Sequence, residues 1–396
     1  MPDTTRSSAL GSAGASELFQ LLRDGRPRTR AELATMTGLA RSTIGLRLDA
    51  LIELGLVGPY ADAVSTGGRP PSRVALVPSA RVVLGADFGA GHLNVALTDL
   101  MGDELAVLRT EIDIADGPEA GLTALLTAAD TLLSGYGRDR DDLIGVGIGL
   151  PGPVQFSTGR PVNPPIMPGW DGFDVPGWVR RHLDVPVLVD NDVNIMALGE
   201  RGHAFPDTDH FLFVKVATGI GSGIISGGRL QRGAQGIAGD IGHVQIPRGA
   251  GIACHCGNVG CLEAVASGPA IARALRASGL DVAGGRQVIE LVRRGDIDAI
   301  QAVRQAGRDL GEVLTACVNV INPSVIAIGG SMAQAGEHLI AGVREIVYTR
   351  SMPLATEHLS IVQSRSGDRA AMIGASMLAI HHALSPAAID ELAALV

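Results

Sequence analysis

Three of the four cysteines fall within eight residues, in Cys254-His255-Cys256-Gly257-Asn258-Val259-Gly260-Cys261, and His243 stands eleven residues before Cys254. Three thiolates and one imidazole complete a tetrahedral set for a structural Zn²⁺, with His243, Cys254, Cys256 and Cys261 as ligands. The spacing demands tight turns, and Gly257 and Gly260 allow the positive φ such turns need. A disulfide is a poorer use of these residues, because Cys254 and Cys256 are too close in sequence for comfortable bridge geometry. His255 is an alternative ligand, although a His between two ligating cysteines usually points away. A cluster of buried thiols without metal is the plain alternative. Cys317 sits in an apolar helical stretch and reads as a small buried hydrophobe.

A second set of candidates lies at strand ends. Val185 to Val189 reads as a strand, followed by Asp190-Asn191-Asp192-Val193-Asn194. Ligands of open α/β sheets gather at such carboxyl ends. A carboxylate at Asp192 can take a proton from a ligand hydroxyl or simply bind it; Asp190 reads as a cap for the helix that follows. Two Gly-rich turns also follow strands, Asp87-Phe88-Gly89-Ala90-Gly91 and Thr218-Gly219-Ile220-Gly221-Ser222-Gly223. Backbone N–H groups in such turns can cradle phosphate, though a lone Gly-rich run is a weak signal. Their echo suggests a diverged repeat of two halves.

The elements that must position these residues read as α/β. Strands are expected at Arg81 to Asp87, Leu93 to Leu100, Glu104 to Ile112 and Leu143 to Leu150, then at Phe211 to Val216, Ile224-Ile225 and Val325 to Ile328. Helices are expected at Pro118 to Ser134, with Pro at the first helical position, and at Gly268 to Ala277, Gly285 to Arg294, Ile297 to Asn319, Glu337 to Val347 and Ala370 to Leu384. The tail, Ala387 to Val396, is a short amphipathic helix suited to docking on the core or on a second subunit.

The first 80 residues have a different character. Ser16 to Arg23 forms one helix, Thr29 caps a second over Arg30 to Met36, Gly38 turns, and a third runs from Arg41 to Leu54 and stops at Gly55. This is the helix-turn-helix pattern. Leu56-Val57 and Arg73 to Leu76, joined through Gly67-Gly68-Arg69-Pro70-Pro71, read as a β-wing. Arg41, Ser42, Thr43 and Arg47 are expected to point outward from the third helix, with side chains suited to base edges and phosphates. Arg69, in a stiff Gly-Arg-Pro segment, suits a narrow minor groove. A protein-interaction module is the plainer alternative.

Gly-Asp-Ile-Gly-His followed by Cys-His-Cys-Gly-Asn-Val-Gly-Cys-Leu-Glu resembles the signature of the ROK family of repressors, open reading frames and kinases. The resemblance runs from about Arg81 to the C-terminus. It implies an α/β, two-lobed, actin-like and hexokinase-like domain, about residues 80–396, behind a winged helix-turn-helix of residues 1–79. The first lobe would span about 80–200 with the C-terminal helix of about 370–396, and the second about 201–369. By the same resemblance the sugar contacts are Asn163, Asn191, Asp192, Asp240, His243 and Glu263, His243 serving metal and sugar together. Asp240 stands where the family usually has Glu. Asp87, Gly89, Gly91, Thr218, Gly219, Gly221, Gly329 and Gly330 match nucleotide-binding positions, Asp87 helping to hold Mg²⁺. Gly91 replaces a phosphate-facing Thr. The winged helix resembles that of the family's repressors, which its plain kinases lack. The expected function is therefore a sugar-responsive transcriptional repressor, with operator DNA and a sugar effector as partners and a homodimer or dimer of dimers as the assembly. The alternative is an ATP-dependent sugar kinase, with Asp192 as base, carrying a DNA-binding head.

Composition bounds this reading. At 396 residues and 46% hydrophobic content the chain can build large cores. It has no run of 18 apolar residues and no apolar core near its start, so neither a membrane span nor a signal peptide is expected. Few cysteines, mostly in one cluster, suit a reducing, cytoplasmic setting. The net charge of −9 is uneven: residues 1–80 carry nine Arg against seven acids, the remainder 23 basic against 34 acidic residues. Any nucleic-acid contact belongs in the first fifth.

Overall fold

The structure is a computed structural model that describes residues 14–60 and 72–395. The N-terminal region builds α1 (Ala15–Leu22), β1 (Arg28–Thr29), α2 (Arg30–Thr37), α3 (Arg41–Glu53), β2 (Val57–Tyr60) and β3 (Arg73–Leu76). Thr29 starts α2 through a full capping box: its hydroxyl accepts from Glu32 N, and the Glu32 carboxylate accepts from Thr29 N. Gly38, at φ 73°, and Gly55, at φ 72°, close the two turns. β2 and β3 form the expected antiparallel ribbon, and β1 adds a third strand beside β3 that the sequence pattern did not reveal.

Two five-stranded sheets follow, and their topologies match. In the first, β4 (Val82–Phe88), β5 (His92–Thr98) and β6 (Glu104–Glu111) make an antiparallel meander. After α4 (Pro118–Gly135), β7 (Leu143–Leu150) returns parallel to β4. The small hairpin β8 (Val154–Gln155) and β9 (Arg160–Pro161), then α5 (Val175–Arg180), lead to β10 (Val187–Asn191), parallel to β7. The helix α6 (Asp192–Ala204) starts directly at the end of β10. In the second sheet β11 (Phe211–Val216), β12 (Ile220–Ser226) and β13 (Arg229–Gln231) repeat the meander. The helices α7 (Glu263–Ala266), α8 (Gly268–Ala277), α9 (Gly285–Arg293) and α10 (Ile297–Ile321) precede β14 (Val325–Gly329), parallel to β11. Beyond α11 (Glu337–Arg350) and α12 (Pro353–Thr356), β15 (Ser360–Gln363) is parallel to β14. β4 is buried along its whole length, as a central strand covered on both faces must be.

The chain closes with α13 (Ala370–Ala383) and α14 (Pro386–Ala393). α13 lies in direct backbone contact with its neighbours. A Cβ on Gly374 would stand 1.7 Å from Ile195 O in α6, and one on Gly147 1.9 Å from Ala375 O. Glycine is thus required on both sides of this helix by close approach rather than by turn geometry. α14 packs on the N-terminal region. Ser16 N and Oγ donate to the two Asp390 oxygens at 3.0 and 2.8 Å, and Gln20 Nε2 donates to Leu384 O at 2.8 Å. Leu18, Leu22, Leu51, Val83, Leu100, Ile380, Leu384 and Ile389 share one buried core. The tail helix therefore completes the core of the N-terminal helices.

Candidate functional site

His243 sits in a 3₁₀ turn, and Cys254, Cys256 and Cys261 lie on the loop leading into α7. The loop folds as its glycines require: Gly257 and Gly260 both take φ 90°. Their four ligand atoms lie within 4.8 Å of one another. Cys256 Sγ is 3.7 Å from Cys261 Sγ, and Cys254 Sγ is 3.6 Å from His243 Nδ1. Tetrahedral bonds of about 2.3 Å to one cation would set sulfurs about 3.8 Å apart, so the donors fit a Cys₃His metal centre. Burial pushes the Cys261 thiol up to about 12 and raises Cys254, whereas a backbone N–H from Asn258 lowers Cys256. Holding three thiolates together here calls for a cation. The far ring nitrogen, Nε2, stands 4.0 Å from Asp240 Oδ1, so His243 can face a metal and Asp240 together. Burial raises the Asp240 pKa, with His243 opposing. Arg248, packed on buried Asp309 of α10 and on Val265 O, fixes the base of this loop; sequence spacing offered no signal for that pair.

The loop braces the second glycine turn. Glu263 Oε2 accepts from Ile220 N at 2.9 Å, and Ser222 N donates to Gly239 O at 2.8 Å. A Cβ on Gly242 would meet Ile220 O at 2.2 Å, and one on Gly221 the Val193 side chain at 3.2 Å. Asp240, His243, Glu263, Gly219, Gly221 and the start of α6 are thereby brought to one place. Thr218 is exposed at the tip of this turn. Gly329 and Gly330 end β14, next to β11. A Cβ there would strike Phe213 at 2.4 Å and Val216 O at 2.6 Å, which is a packing reason for both glycines.

At the end of β10 the residues divide their work differently from expectation. Asn191, not Asp190, caps α6: its Oδ1 accepts from Val193 N at 2.9 Å and its Nδ2 donates to Gly152 O at 2.8 Å. Asp190 is buried and instead binds Arg232 Nε at 2.7 Å and Asn194 Nδ2 at 2.8 Å. Gly152 carries the arrangement to the next loop, since a Cβ there would stand 3.1 Å from Pro164. Asn163 is exposed, at φ 45°, with its N–H on Asp171 at 2.7 Å. Trp170, fully buried, anchors this loop through Nε1 to Ile114 O and an edge contact with Phe88.

Asp192 is only 5% exposed and carries a partner that the motifs did not reveal: Lys215, from the end of β11, donates its ammonium to Asp192 Oδ2. Burial works against the Lys215 charge, but Asp192, and Asp87 with it, hold its pKa above the usual lysine value. The first glycine turn is also changed. Asp87 is buried, with Asn94 Nδ2 at 3.4 Å and His92 Nε2 at 3.5 Å from its Oδ2. Hydrogen bonding to Asp87 raises the His92 pKa. The His92 ring folds back over Gly89, where a Cβ would come within 2.0 Å of it, while Gly91 has no side chain to offer. A separate concavity of about 570 Å³ between α8 and α10 holds none of these groups.

In the N-terminal region Arg41 and Ser42 are exposed on the first turn of α3 and Thr43 is half-buried. Arg47 departs from the outward position expected of it. Its side chain is 15% exposed and pairs with Glu17 of α1 at 2.8 Å. Three residues beyond buried Ile44, it shares the flank of the apolar stripe. Leu46, 59% exposed, takes the open face instead. Arg69 lies outside the described residues.

Two five-stranded sheets of matched topology, with a Cys₃His loop braced on a glycine turn and acidic groups at the strand ends, define an actin-like α/β domain. Residues 83–382 match the ROK family model, and the chain belongs to the ROK family. It is 29% identical over 359 residues to the xylose repressor of Bacillus spizizenii, covering 90% of this chain and 92% of that one. It is 30% identical over 315 residues to a glucokinase of Halalkalibacterium halodurans, covering 76% of this chain and 95% of the glucokinase. Among solved structures, a ROK family transcriptional regulator homologous to the E. coli MLC protein is similar at 27% identity. It covers 98% of this chain and 100% of its own, with a TM-score of 0.83.

Proposed function

We propose that this protein is a sugar-responsive transcriptional repressor, released from its operator when a sugar or sugar derivative binds the ROK domain. One observation carries the reading: likeness to regulators extends over the N-terminal helices, whereas likeness to the glucokinase covers 76% of the chain. Residues 1–79 serve as a winged helix-turn-helix, completed by α14. Arg41, Ser42 and Thr43 enter the major groove, and Arg69 reaches the minor groove. The sugar lies among Asn163, Asn191, Asp192, Asp240, His243 and Glu263. Zn²⁺ is the metal that the Cys₃His donors suit best; its part is to hold the loop that carries His243 and Glu263. A homodimer or dimer of dimers in the cytoplasm fits the role of an operator-binding repressor. Among the described residues no single helix is long and apolar enough to cross a membrane.

Sugar kinase activity is the second reading, favoured by the retained Asp192 and the open Thr218 turn. His92 over Gly89 and Lys215 on Asp192 weigh against it, because phosphoryl transfer depends on positioned phosphate and Mg²⁺. A mechanical route exists for repression: α6 begins at Asp192, packs on α13, and α13 leads to α14 on α1.

The test selects bound duplexes from a random pool and titrates sugars into the resulting complex. A palindromic site, with DNA affinity lowered by one sugar and sugar affinity lowered equally by DNA, is the expected result. Sugar affinity identical with and without the duplex would overturn the release mechanism. Turnover of ATP with a sugar, lost in Asp192→Asn, would restore the kinase.

A further inference from the structure

Lys215 is the one lysine in the sequence; every other member of the 32 Lys and Arg is arginine. A chain that uses arginine everywhere else has a lysine inside its candidate site, on the buried carboxylate of Asp192. The two side chains differ in shape: an ammonium is a compact point charge with three rotatable donors, a guanidinium a planar fork. The backbone leaves room for it. Lys215 is paired with Gly221 in β12 and with Gly329 in β14, so neither neighbouring strand crowds its side chain.

Its ammonium donates to Asp192 Oδ2, yet the side chain remains 26% exposed against 7% for Asp192. A partly buried ion pair of this kind is weak evidence for stability, because desolvation offsets the attraction. It alters the site in a definite way. A neutral sugar hydroxyl needs only a bare carboxylate to accept its proton, and here that carboxylate is already neutralised. Asp87 is covered similarly by the His92 ring. Each acid at the site has a partner: Lys215 on Asp192, His92 on Asp87, His243 4.0 Å from Asp240 and the Ile220 N–H on Glu263. Lys215 keeps further N–H donors for an acceptor. A nucleotide is not suited to supply that acceptor, because the His92 ring occupies the first glycine turn.

We propose that the effector carries an acidic group, phosphate or carboxylate, on the sugar carbon that faces Asp192, and that Lys215 is the specificity-determining cation that receives it. The proposal rests on the reading of this site as a sugar site. It makes the effector the product of a phosphorylating or oxidising reaction on a sugar rather than the free sugar.

Calorimetric titration of the full, metal-loaded chain tests it with matched series: glucose, glucose 6-phosphate and glucuronate; N-acetylglucosamine and its 6-phosphate; xylose and xylose 5-phosphate; and inorganic phosphate. In one series the acidic member should bind at least about tenfold tighter than its neutral parent. The phosphate and carboxylate arms then identify which acid is used. Lys215→Met, with Lys215→Gln as a second variant, should erase that preference, so that the ratio of acidic to neutral affinity falls at least about tenfold. A neutral parent binding wild type as tightly as its acids would overturn the proposal and leave the sugar site standing. Inorganic phosphate binding as tightly as any sugar phosphate would overturn it also. If no member binds, the sugar reading itself falls, and this inference with it. The wild-type ratio decides the matter without any variant.

Discussion

The turn after β4 and the turn after β11 hold the same place in their two sheets, but they are finished differently. The second is braced from outside. Glu263 on the Cys₃His loop takes the Ile220 N–H, and the loop around Gly239 and Gly242 presses on Ser222 and Ile220. The first is filled from within, by the His92 ring over Gly89. Two turns in equivalent places are thus finished in opposite ways, one framed by a neighbouring loop and one lined by its own His92 ring. Filling the first turn needs only one side chain, whereas the second is tied to the Cys₃His loop and constrained by it.

The largest effect expected from breaking this contrast comes from the brace. Removing a ligand by Cys256→Ala forfeits metal binding, which in small structural zinc sites supplies roughly 10–16 kcal/mol of folding free energy. Elemental analysis should fall from about one zinc per chain to none, sugar response should vanish, and DNA binding by the N-terminal helices should persist. Next is Asp192→Ala, which strands the Lys215 ammonium. Breaking one partner of a fully buried pair costs about 3–5 kcal/mol; Lys215 is 26% exposed, so a smaller loss is expected by denaturant unfolding, and the variant should stay on operator DNA at any sugar concentration. A smaller change sharpens the contrast directly: His92→Ala empties the first turn. ATP, expected to leave wild-type melting unchanged, should raise the melting temperature of the variant by mass action; an ATP-dependent rise already present in wild type would refute the filled-turn account.

The smallest effects are expected on α3 and also separate two roles. Arg41→Ala should weaken specific DNA binding by about 1–3 kcal/mol if it reads a base. Arg47→Ala should instead cost at most about 1 kcal/mol of stability, as for a surface ion pair with Glu17, and leave sequence preference intact. A loss of sequence preference in Arg47→Ala would return that residue to the groove.

Periodicity made the central strands and long helices legible because the strands are largely apolar runs, as in β4 and β11, and the helices carry cap signals such as Thr29 with Glu32. The short edge strands β13 and β15 and the β8–β9 hairpin are too brief to show a pattern and are not read from the sequence. The Cys₃His set was legible because its ligands cluster in sequence. What escaped was set by contacts between distant segments. Lys215 gave no signal within its own strand, because its partner Asp192 stands at the start of α6 on a distant segment. Arg47 looked outward until α1 brought Glu17 to it. Glu200, unassigned from sequence, is fully buried and takes Arg365 N, Ser366 N and Ser364 Oγ, fixing the entry to α13. No local pattern encodes such pairings, because each needs the fold to exist first.

The hold of α14 on α1 also has a bearing on synthesis. Ser16 and its partner Asp390 are 374 residues apart, so the first helix leaves the ribosome long before its last core residues exist. At about 5–20 residues per second this interval is roughly 20–75 s. During that time Leu18 and Leu22 lack Ile389 to cover them. A nascent or prematurely terminated chain would therefore leave this N-terminal core open on one side, and the core would close only once α14 has been made.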